Sequence, residues 1–209
     1  YGIAVSDNHV CIANGENGIA VVDISNPSSP TILGSYDTDG FARDVAISGN
    51  YAYVADGIGL VIVDVSVPSS PTLTGTYDTI GFANGITVSG NYAYVADDGK
   101  AIFDGSNGIA IVDISNPSSP RQVGSYDSIY AYDVAISESH VYVADHTGLV
   151  ILDVSDPLSP SLEGSYSAGG DTNDVAVSGN HAYVADFTGL FVLDVSTPSS
   201  PDLVSNYST

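Results

Sequence analysis

The chain has very few basic residues and contains no methionine or tryptophan. Lysine and arginine together number 3 among 209 residues, against 25 aspartates and glutamates, so the formal net charge at pH 7 is -22. A surface of this sign repels phosphate backbones and anionic headgroups, so we expect no nucleic-acid partner and no membrane-surface partner. Cations and basic molecules are the ligands that this charge favours.

Long apolar runs and paired cysteines are also lacking. Cys11 is the single cysteine, which excludes an intrachain disulfide and a cysteine-based zinc site. No run approaches the ~20 apolar residues of a membrane-spanning helix, so we expect no membrane insertion. The composition, poor in lysine and rich in Asp, Ser, Thr, Gly and Tyr, favours an extracellular or cell-surface protein. Because the chain opens with Tyr1, we expect a processed product or a piece of a longer protein.

What the sequence does contain is one unit repeated five times. The clearest copy runs from Gly59 to Ser66, GLVIVDVS, and is followed by the turn sequence VPSSP. Successive copies of its aspartate are separated by 41, 49, 40 and 41 residues, at Asp23, Asp64, Asp113, Asp153 and Asp194. A short apolar run rich in β-branched residues, closed by Asp, Ser and Pro, is typical of a strand that is covered on both faces.

Each unit contains four such strand segments, which we label A to D. A period of about 41 residues with four strands predicts the blade of a β-propeller. The predicted fold is therefore all-β, a five-bladed β-propeller of four-stranded antiparallel blades in a single domain, 1–209. The approximate blades are 1–37, 38–78, 79–127, 128–167 and 168–209.

Two motifs resemble known propeller families. Leu60-Val61-Ile62-Val63-Asp64 spells the name motif of the LVIVD-repeat family, and the likeness covers essentially the whole chain. The B segments carry Tyr-Val-Ala-Asp, similar to strands of the YVTN and NHL families, except in the first unit, which reads Cys-Ile-Ala-Asn at 11–14. The resemblance implies a secreted or cell-surface interaction or surface-layer module of bacteria and archaea. It implies no catalytic residue.

Closure of the ring is open to more than one interpretation. Both ends of the chain fall between strand D and strand A, so no blade is shared between the termini. We expect the first blade to pack on the fifth and close the ring. The alternatives are five blades of a larger ring or of a longer chain, and an open stack would expose two apolar faces.

The candidate ligand site lies where the D-to-A and B-to-C loops emerge, because sequence variation concentrates there. The insertion at 98–107 falls on the same face. In propeller families strand A lines the central channel, so the resemblance places acids that open strand A at the channel mouth. The predicted ligand-binding residues are Asp44, Asp133, Asp174, Arg43, Tyr132 and Asn173.

A second set of carboxylates closes strand B in four units: Asp56, Asp97, Asp145 and Asp186. Several carboxylates around one channel mouth are suited to Ca²⁺, which takes six to eight oxygen ligands. The stronger interpretation is that each Asp fixes the turn that follows it by accepting backbone N–H groups. If the carboxylates do bind an ion, calcium is the one candidate cofactor.

An enzyme is not expected. Paired carboxylates leave glycoside hydrolysis as an alternative activity. However, no Ser-His-Asp set falls on one face, and the repeated acids do not provide the asymmetric pair that catalysis normally needs. The predicted function is a non-catalytic structural or interaction module that binds a protein or glycan at the cell surface, with self-association into a larger assembly or filament included. The alternative is a carbohydrate- or Ca²⁺-binding propeller.

Overall fold

A computed structural model of the protein describes residues 1–79, 81–98, 108–128 and 130–208. Apart from Asp98, the predicted insertion lies outside these residues. The described residues form twenty β-strands and no helix, and among them no segment is suited to cross a membrane as a helix.

The strands follow one another in five sets of four. Blade 1 contains β1 (Ile3–Ser6), β2 (His9–Ala13), β3 (Ile19–Asp23) and β4 (Thr31–Tyr36). Blade 2 contains β5 (Asp44–Ser48), β6 (Tyr51–Ala55), β7 (Gly59–Asp64) and β8 (Thr72–Asp78). Blade 3 contains β9 (Ala83–Ser89), β10 (Tyr92–Asp97), β11 (Gly108–Asp113) and β12 (Arg121–Asp127). Blade 4 contains β13 (Ala131–Ser137), β14 (His140–Asp145), β15 (Gly148–Asp153) and β16 (Ser161–Ser167). Blade 5 contains β17 (Thr172–Ser178), β18 (His181–Asp186), β19 (Gly189–Asp194) and β20 (Asp202–Ser208).

Each set is one antiparallel sheet in which the strands lie in chain order. All five sheets share a register shift in the pairing of strand C with strand D, for example between Ile62 and Val63. In blades 2 to 5, strand C begins at a glycine because its first residue lies against strand D: a Cβ added to Gly148, whose φ is +140°, would lie 2.2 Å from the carbonyl oxygen of Tyr166. The prediction of five four-stranded antiparallel propeller blades is confirmed.

Strand C is apolar on both sides because it lies in the middle of a stack of sheets. In β7, Leu60 and Ile62 belong to the cluster shared with blade 3, whereas Val61 and Val63 belong to the cluster shared with blade 1. Full burial of such a side chain stabilises the fold by roughly 1.5–3 kcal/mol. Alternate side chains of one strand therefore hold both neighbouring blades. We call the side of a blade that contacts the next blade its forward face, and the opposite side its backward face.

The junction between blade 5 and blade 1 differs from the others. Four apolar clusters join the consecutive blades, and none among the described residues joins blade 5 to blade 1. On the forward face of blade 5, Leu190 is 37% exposed, against 1% for its counterpart Leu149. On the backward face of blade 1, Ile3 is 63% exposed, against 4% for Val45. The expected closure of the ring by these two blades is wrong. The apolar pattern is the same in every unit, so it does not reveal which faces meet.

Candidate binding face

One end of the blades carries the D-to-A and B-to-C loops, and we call this end the variable face; the other end is the constant face. The loops of the variable face are joined by backbone hydrogen bonds. Arg43 N donates to Ala55 O at 2.8 Å, and Ala42 N donates to Gly15 O at 3.0 Å, which ties a B-to-C loop of blade 1 to the entry of blade 2. The loops therefore form a connected surface.

Exposed aromatic rings concentrate on the variable face. Three of the five phenylalanines, Phe41, Phe82 and Phe187, lie in its loops with exposures of 38%, 41% and 76%. Tyr1 stacks on Phe41 with ring centres 5.9 Å apart. The guanidinium carbon of Arg43, a predicted ligand-binding residue, lies 5.7 Å from the centre of the same ring, within the range of a cation–π contact.

A second aromatic group lies in the loops of blades 4 and 5. The Tyr130 ring meets the His146 ring edge-on at 6.0 Å, and His146 Nδ1 pairs with the carboxylate of Asp171. Tyr130 has a φ of +54°, a conformation that is strained for a bulky residue. Burial, followed by the charge of Asp171, raises the pKa of the neighbouring Tyr132, and Tyr132 is half-buried. Sequence spacing does not connect His146 with Tyr130 and Asp171, because the three residues lie on different loops.

A small pocket opens between blades 1 and 2 on the variable face, beside the exposed Ile58. Its volume is about 110 Å³, and three carboxylates line it: Asp39, Asp56 and Asp78. Thr38 also lines it, 95% buried, and its Oγ1 has no hydrogen-bond partner among the described residues. Burial raises the pKa of Asp56, and the charge of Asp39 adds to the shift. The pocket thus offers unpaired hydrogen-bonding capacity and negative charge, and no sequence motif marked it.

The three predicted strand-A carboxylates are not equivalent: two bond to the next blade and the third is exposed. Asp44 Oδ2 accepts the N–H of Ile86 at 2.8 Å, and Asp133 Oδ2 accepts the N–H of Val175 at 2.9 Å, so each bonds to strand A of the next blade. Asp174 is exposed. Burial is the largest cause that raises the pKa of both Asp44 and Asp133, the latter to about 7, and the charge of Asp174 contributes to each. The three carboxyl groups therefore influence one another around the channel. Asn173, beside them in β17, is exposed.

The strand-B carboxylates each bond to loops of the variable face. Asp56 Oδ1 accepts the N–H groups of Ile58 and Gly59, and Asp145 Oδ1 accepts those of Thr147 and Gly148. Asp186 repeats this arrangement with Thr188 and Gly189, while Asp97 Oδ2 accepts the N–H of Gly81 at 2.9 Å. The bonds of Asp56, Asp145 and Asp186 are those that the turn-fixing interpretation predicts, whereas Asp97 bonds to the preceding D-to-A loop. In the part of the chain that the structure describes, no three His, Cys, Asp or Glu residues form a group that could hold a metal ion. A calcium site stays a prediction.

On the constant face, the aspartate that ends strand C fixes the following turn. Asp64 Oδ1 accepts the N–H of Ser66 at 2.8 Å, and the same bond recurs in the other four blades. Hydrogen bonds from Ser66 lower the pKa of Asp64. The constant face therefore repeats one structural turn, whereas the variable face differs from blade to blade.

Comparison with known families agrees with this architecture. The LVIVD repeat matches five times, over residues 1–38, 39–79, 80–128, 130–168 and 169–209. The chain belongs to the LVIVD-repeat family. No curated protein matches this LVIVD chain.

Solved propeller structures resemble the LVIVD chain in fold. A functionally unknown protein from Desulfotomaculum acetoxidans has a TM-score of 0.82 at 14% identity, over 100% of this chain and 69% of the other. The periplasmic gluconolactonase of Pseudomonas aeruginosa has a TM-score of 0.75 at 14% identity, over 97% and 68% of the two chains. A chain of the nidogen/laminin complex has a TM-score of 0.71 at 14% identity, over 100% and 79%. At these identities the likeness concerns the fold alone.

Proposed function

We propose that the chain is a non-catalytic interaction module of the cell exterior, whose variable face binds a basic segment of a partner protein. The observation that carries this proposal is the concentration of exposed aromatic rings and carboxylates on one face. Exposed apolar side chains grouped on a surface mark interaction sites, and aromatic residues are enriched where proteins meet. The lysine-poor composition supports the extracellular location.

The pocket beside Ile58 indicates which side chain of the partner inserts into this face. The tip of a lysine or arginine side chain matches the pocket's volume of about 110 Å³ and its three carboxylates. An ammonium or guanidinium group donates a hydrogen bond to the Thr38 hydroxyl, which has no partner within the described part of the chain. In the complex, the rings of Phe41 and Phe82 cover apolar side chains of the partner segment that lie next to its lysine or arginine. Charge of one sign on this face speeds the encounter with a basic partner at low salt.

The experiment is selection of a random peptide display library on the purified chain. We expect enriched peptides to contain arginine or lysine beside aromatic or aliphatic residues. Their affinity should fall at least tenfold in a Phe41→Ala/Phe82→Ala/Phe187→Ala variant and on raising the salt concentration. A matched control, Val67→Ala/Leu158→Ala, removes exposed apolar side chains from the constant face and should leave the affinity unchanged. Enrichment of peptides that bind both variants equally would contradict the proposal.

A catalytic role is tested in the same preparation. A protein of similar fold is a gluconolactonase, so gluconolactone and a glycan panel are the substrates to try. We expect no turnover above the uncatalysed rate. Turnover that is lost in Asp133→Asn or Asp174→Asn would overturn the non-catalytic assignment.

A further inference from the structure

Both ends of the blade stack expose a surface that is buried at every internal junction. On the forward face of blade 5, Tyr183 and Tyr207 are 38% and 70% exposed. The counterparts of Tyr183 in blades 2 to 4 are buried, at 3–4% exposure: Tyr53, Tyr94 and Tyr142. On the backward face of blade 1, Ile3 and Val5 are both more than 60% exposed. These surfaces have the composition of a blade junction and lack the partner.

The internal junctions show what kind of surface fits. Between blades 2 and 3, the forward face contributes Tyr53, Leu60 and Ile62, and the backward face contributes aliphatic side chains such as Ile86, Ala93 and Val112. The tyrosines in all four clusters come from forward faces. Each of these junctions therefore pairs a forward face that carries tyrosine with a backward face that carries none. Two forward faces brought together in a two-fold dimer would oppose tyrosine to tyrosine, so the fitting partner of blade 5 is a backward face.

The channel strands lead to the same conclusion. Asp44 and Asp133 each accept a backbone N–H from strand A of the next blade. Asp174 holds the equivalent position in blade 5, is exposed, and has no such bond among the described residues. A strand A placed next to β17 would supply the missing donor.

The curvature of the stack indicates how many blades are missing. Propellers contain four to eight blades, and five of seven equal blades make up about 71% of a ring, against about 83% for five of six. Three solved structures of which the chain covers 68–70%, close to five sevenths, give TM-scores of 0.75–0.82, whereas structures of which it covers 60% and 79% give 0.72 and 0.71. These coverages favour a gap of two blades between blade 5 and blade 1.

A second copy of this chain does not fit that gap. Docking the backward face of its blade 1 onto blade 5 places five further blades along the same arc, where there is room for two. Its remaining blades would overlap blades 1 to 3 of the first copy.

We propose that two further LVIVD-type blades of the same polypeptide fill the gap between blade 5 and blade 1 and close a seven-bladed ring. The incoming blades present a tyrosine-free backward face to Tyr183, Leu190 and Tyr207, and a tyrosine-bearing forward face to Ile3 and Val5. The strand A that follows blade 5 donates an N–H to Asp174. Closure buries both apolar ends of the stack.

Ser205 sets one condition on the blade that follows blade 5. In blades 1 to 4 the equivalent residue is a glycine on which the next blade's C-to-D loop rests: a Cβ added to Gly34, Gly75, Gly124 or Gly164 would lie 2.1–2.5 Å from a proline carbonyl oxygen of that loop. The Cβ of Ser205 would collide with that carbonyl oxygen if the loop lay equally close. The C-to-D loop of the incoming blade therefore stands further from strand D than the loops of blades 2 to 5 do.

The proposal is tested by extending the chain. With Ser205→Gly, the 209-residue chain is followed by one, two or three copies of residues 39–79, which continue the repeat in register. We expect every extended chain to be monomeric and the Tm to be highest with two added blades. Binding of the dye 8-anilinonaphthalene-1-sulfonate should fall to a minimum in the same chain. A maximum at one or three added blades, or no rise at all, would overturn the proposal.

Matched substitutions show whether the added blades occupy the proposed surface. In the five-bladed chain Leu190→Ala should lower the Tm much less than Leu149→Ala does. In the seven-bladed chain the two substitutions should lower it equally. If the five-bladed chain is instead a stable dimer that Leu190→Asp dissociates, the surface serves self-association and the proposal fails.

Spin-label distances decide the question if the extended chains do not fold. Ser29, Ser159 and Ser200 occupy the same exposed turn in blades 1, 4 and 5. With labels on cysteines at these positions, seven-blade spacing predicts that the 29–200 distance equals the 29–159 distance. A ring closed by five blades predicts that the 29–200 distance equals the 159–200 distance, and that result would overturn the proposal.

Discussion

The carboxylate of Asp133 accepts the backbone N–H of Val175 across the junction between blades 4 and 5, with an oxygen–nitrogen distance of 2.9 Å. Asp44 makes the same bond to Ile86 between blades 2 and 3. Each bond joins residues 42 positions apart and holds two channel strands side by side. Because partial burial in the fold raises the pKa of both carboxyl groups, they link the packing of the blades to pH.

The first prediction concerns that pH dependence. Burial raises the pKa of Asp133 to about 7, whereas an unfolded aspartate titrates near about 3.9. Between these values the folded chain holds a proton that the unfolded chain releases, so stability falls as the pH rises from about 4 to 7. Serine hydrogen bonds lower the pKa of the constant-face aspartates Asp64 and Asp153. Protonation of these aspartates below this pH range reduces stability as the pH falls. We expect a calorimetric Tm profile with its maximum near pH 4–5.

Asp133→Asn isolates the group responsible. The asparagine oxygen still accepts the Val175 N–H but carries no charge, so we expect the Tm at pH 8 to rise by roughly 2–4 °C, which is about 1 kcal/mol for a chain of this size. The decline between pH 4 and 7 should become shallower. Asp202→Asn, which removes an exposed carboxylate from strand D, is the control for net charge. A Tm loss at pH 8 in Asp133→Asn would contradict the assignment.

The second prediction concerns the turn that Asp145 fixes. This side chain is 97% buried and accepts bonds from Thr147, Gly148 and the Ser128 hydroxyl. Asp145→Ala leaves buried donors unpaired, and we expect it to reduce the free energy of unfolding by about 2–3 kcal/mol in urea titrations. Asp186→Ala, at the equivalent but more exposed position in blade 5, should cost less than about 1 kcal/mol. Equal losses would show that burial does not set the strength of these turns.

The third prediction concerns Cys11. Its thiol is buried in the cluster between blades 1 and 2, and burial raises its pKa to about 11. The thiolate is the reactive form, so the folded chain should react with iodoacetamide at pH 8 only as fast as blade 1 opens. Full reactivity should appear in urea. Rapid labelling of the folded chain, followed by mass spectrometry, would contradict the packing described for this junction.

Sequence patterns predicted the blades but not the contacts between them. The alternation of Leu60, Val61, Ile62 and Val63 indicated a strand covered on both faces, because each side chain needs an apolar neighbour. Leu190 and Leu149 read alike in sequence, however, although one is exposed and the other buried. Whether a face is covered depends on the angle between blades, which no local motif encodes.

The candidate site was predictable only in outline. Variation among the D-to-A and B-to-C loops located the variable face, since propeller strands run antiparallel and bring those loops to one end. The pairing of His146 with Asp171, and the burial of a Thr38 hydroxyl that has no partner among the residues described, depend on how neighbouring blades pack. Such contacts follow from three-dimensional packing and leave no spacing signal.

The claim that the forward face of blade 5 is uncovered is tested most directly by comparing Leu149→Ala with Leu190→Ala in the unextended chain. Free energies of unfolding from urea titrations, followed by circular dichroism, are the measurement. Leu149→Ala should cost about 2–5 kcal/mol because it leaves a cavity between blades 4 and 5, whereas Leu190→Ala should cost less, about 1 kcal/mol, because that side chain is 37% exposed and its removal leaves no closed cavity. Equal, large losses at both positions would show that blade 5 is covered in the isolated chain, and would contradict the account.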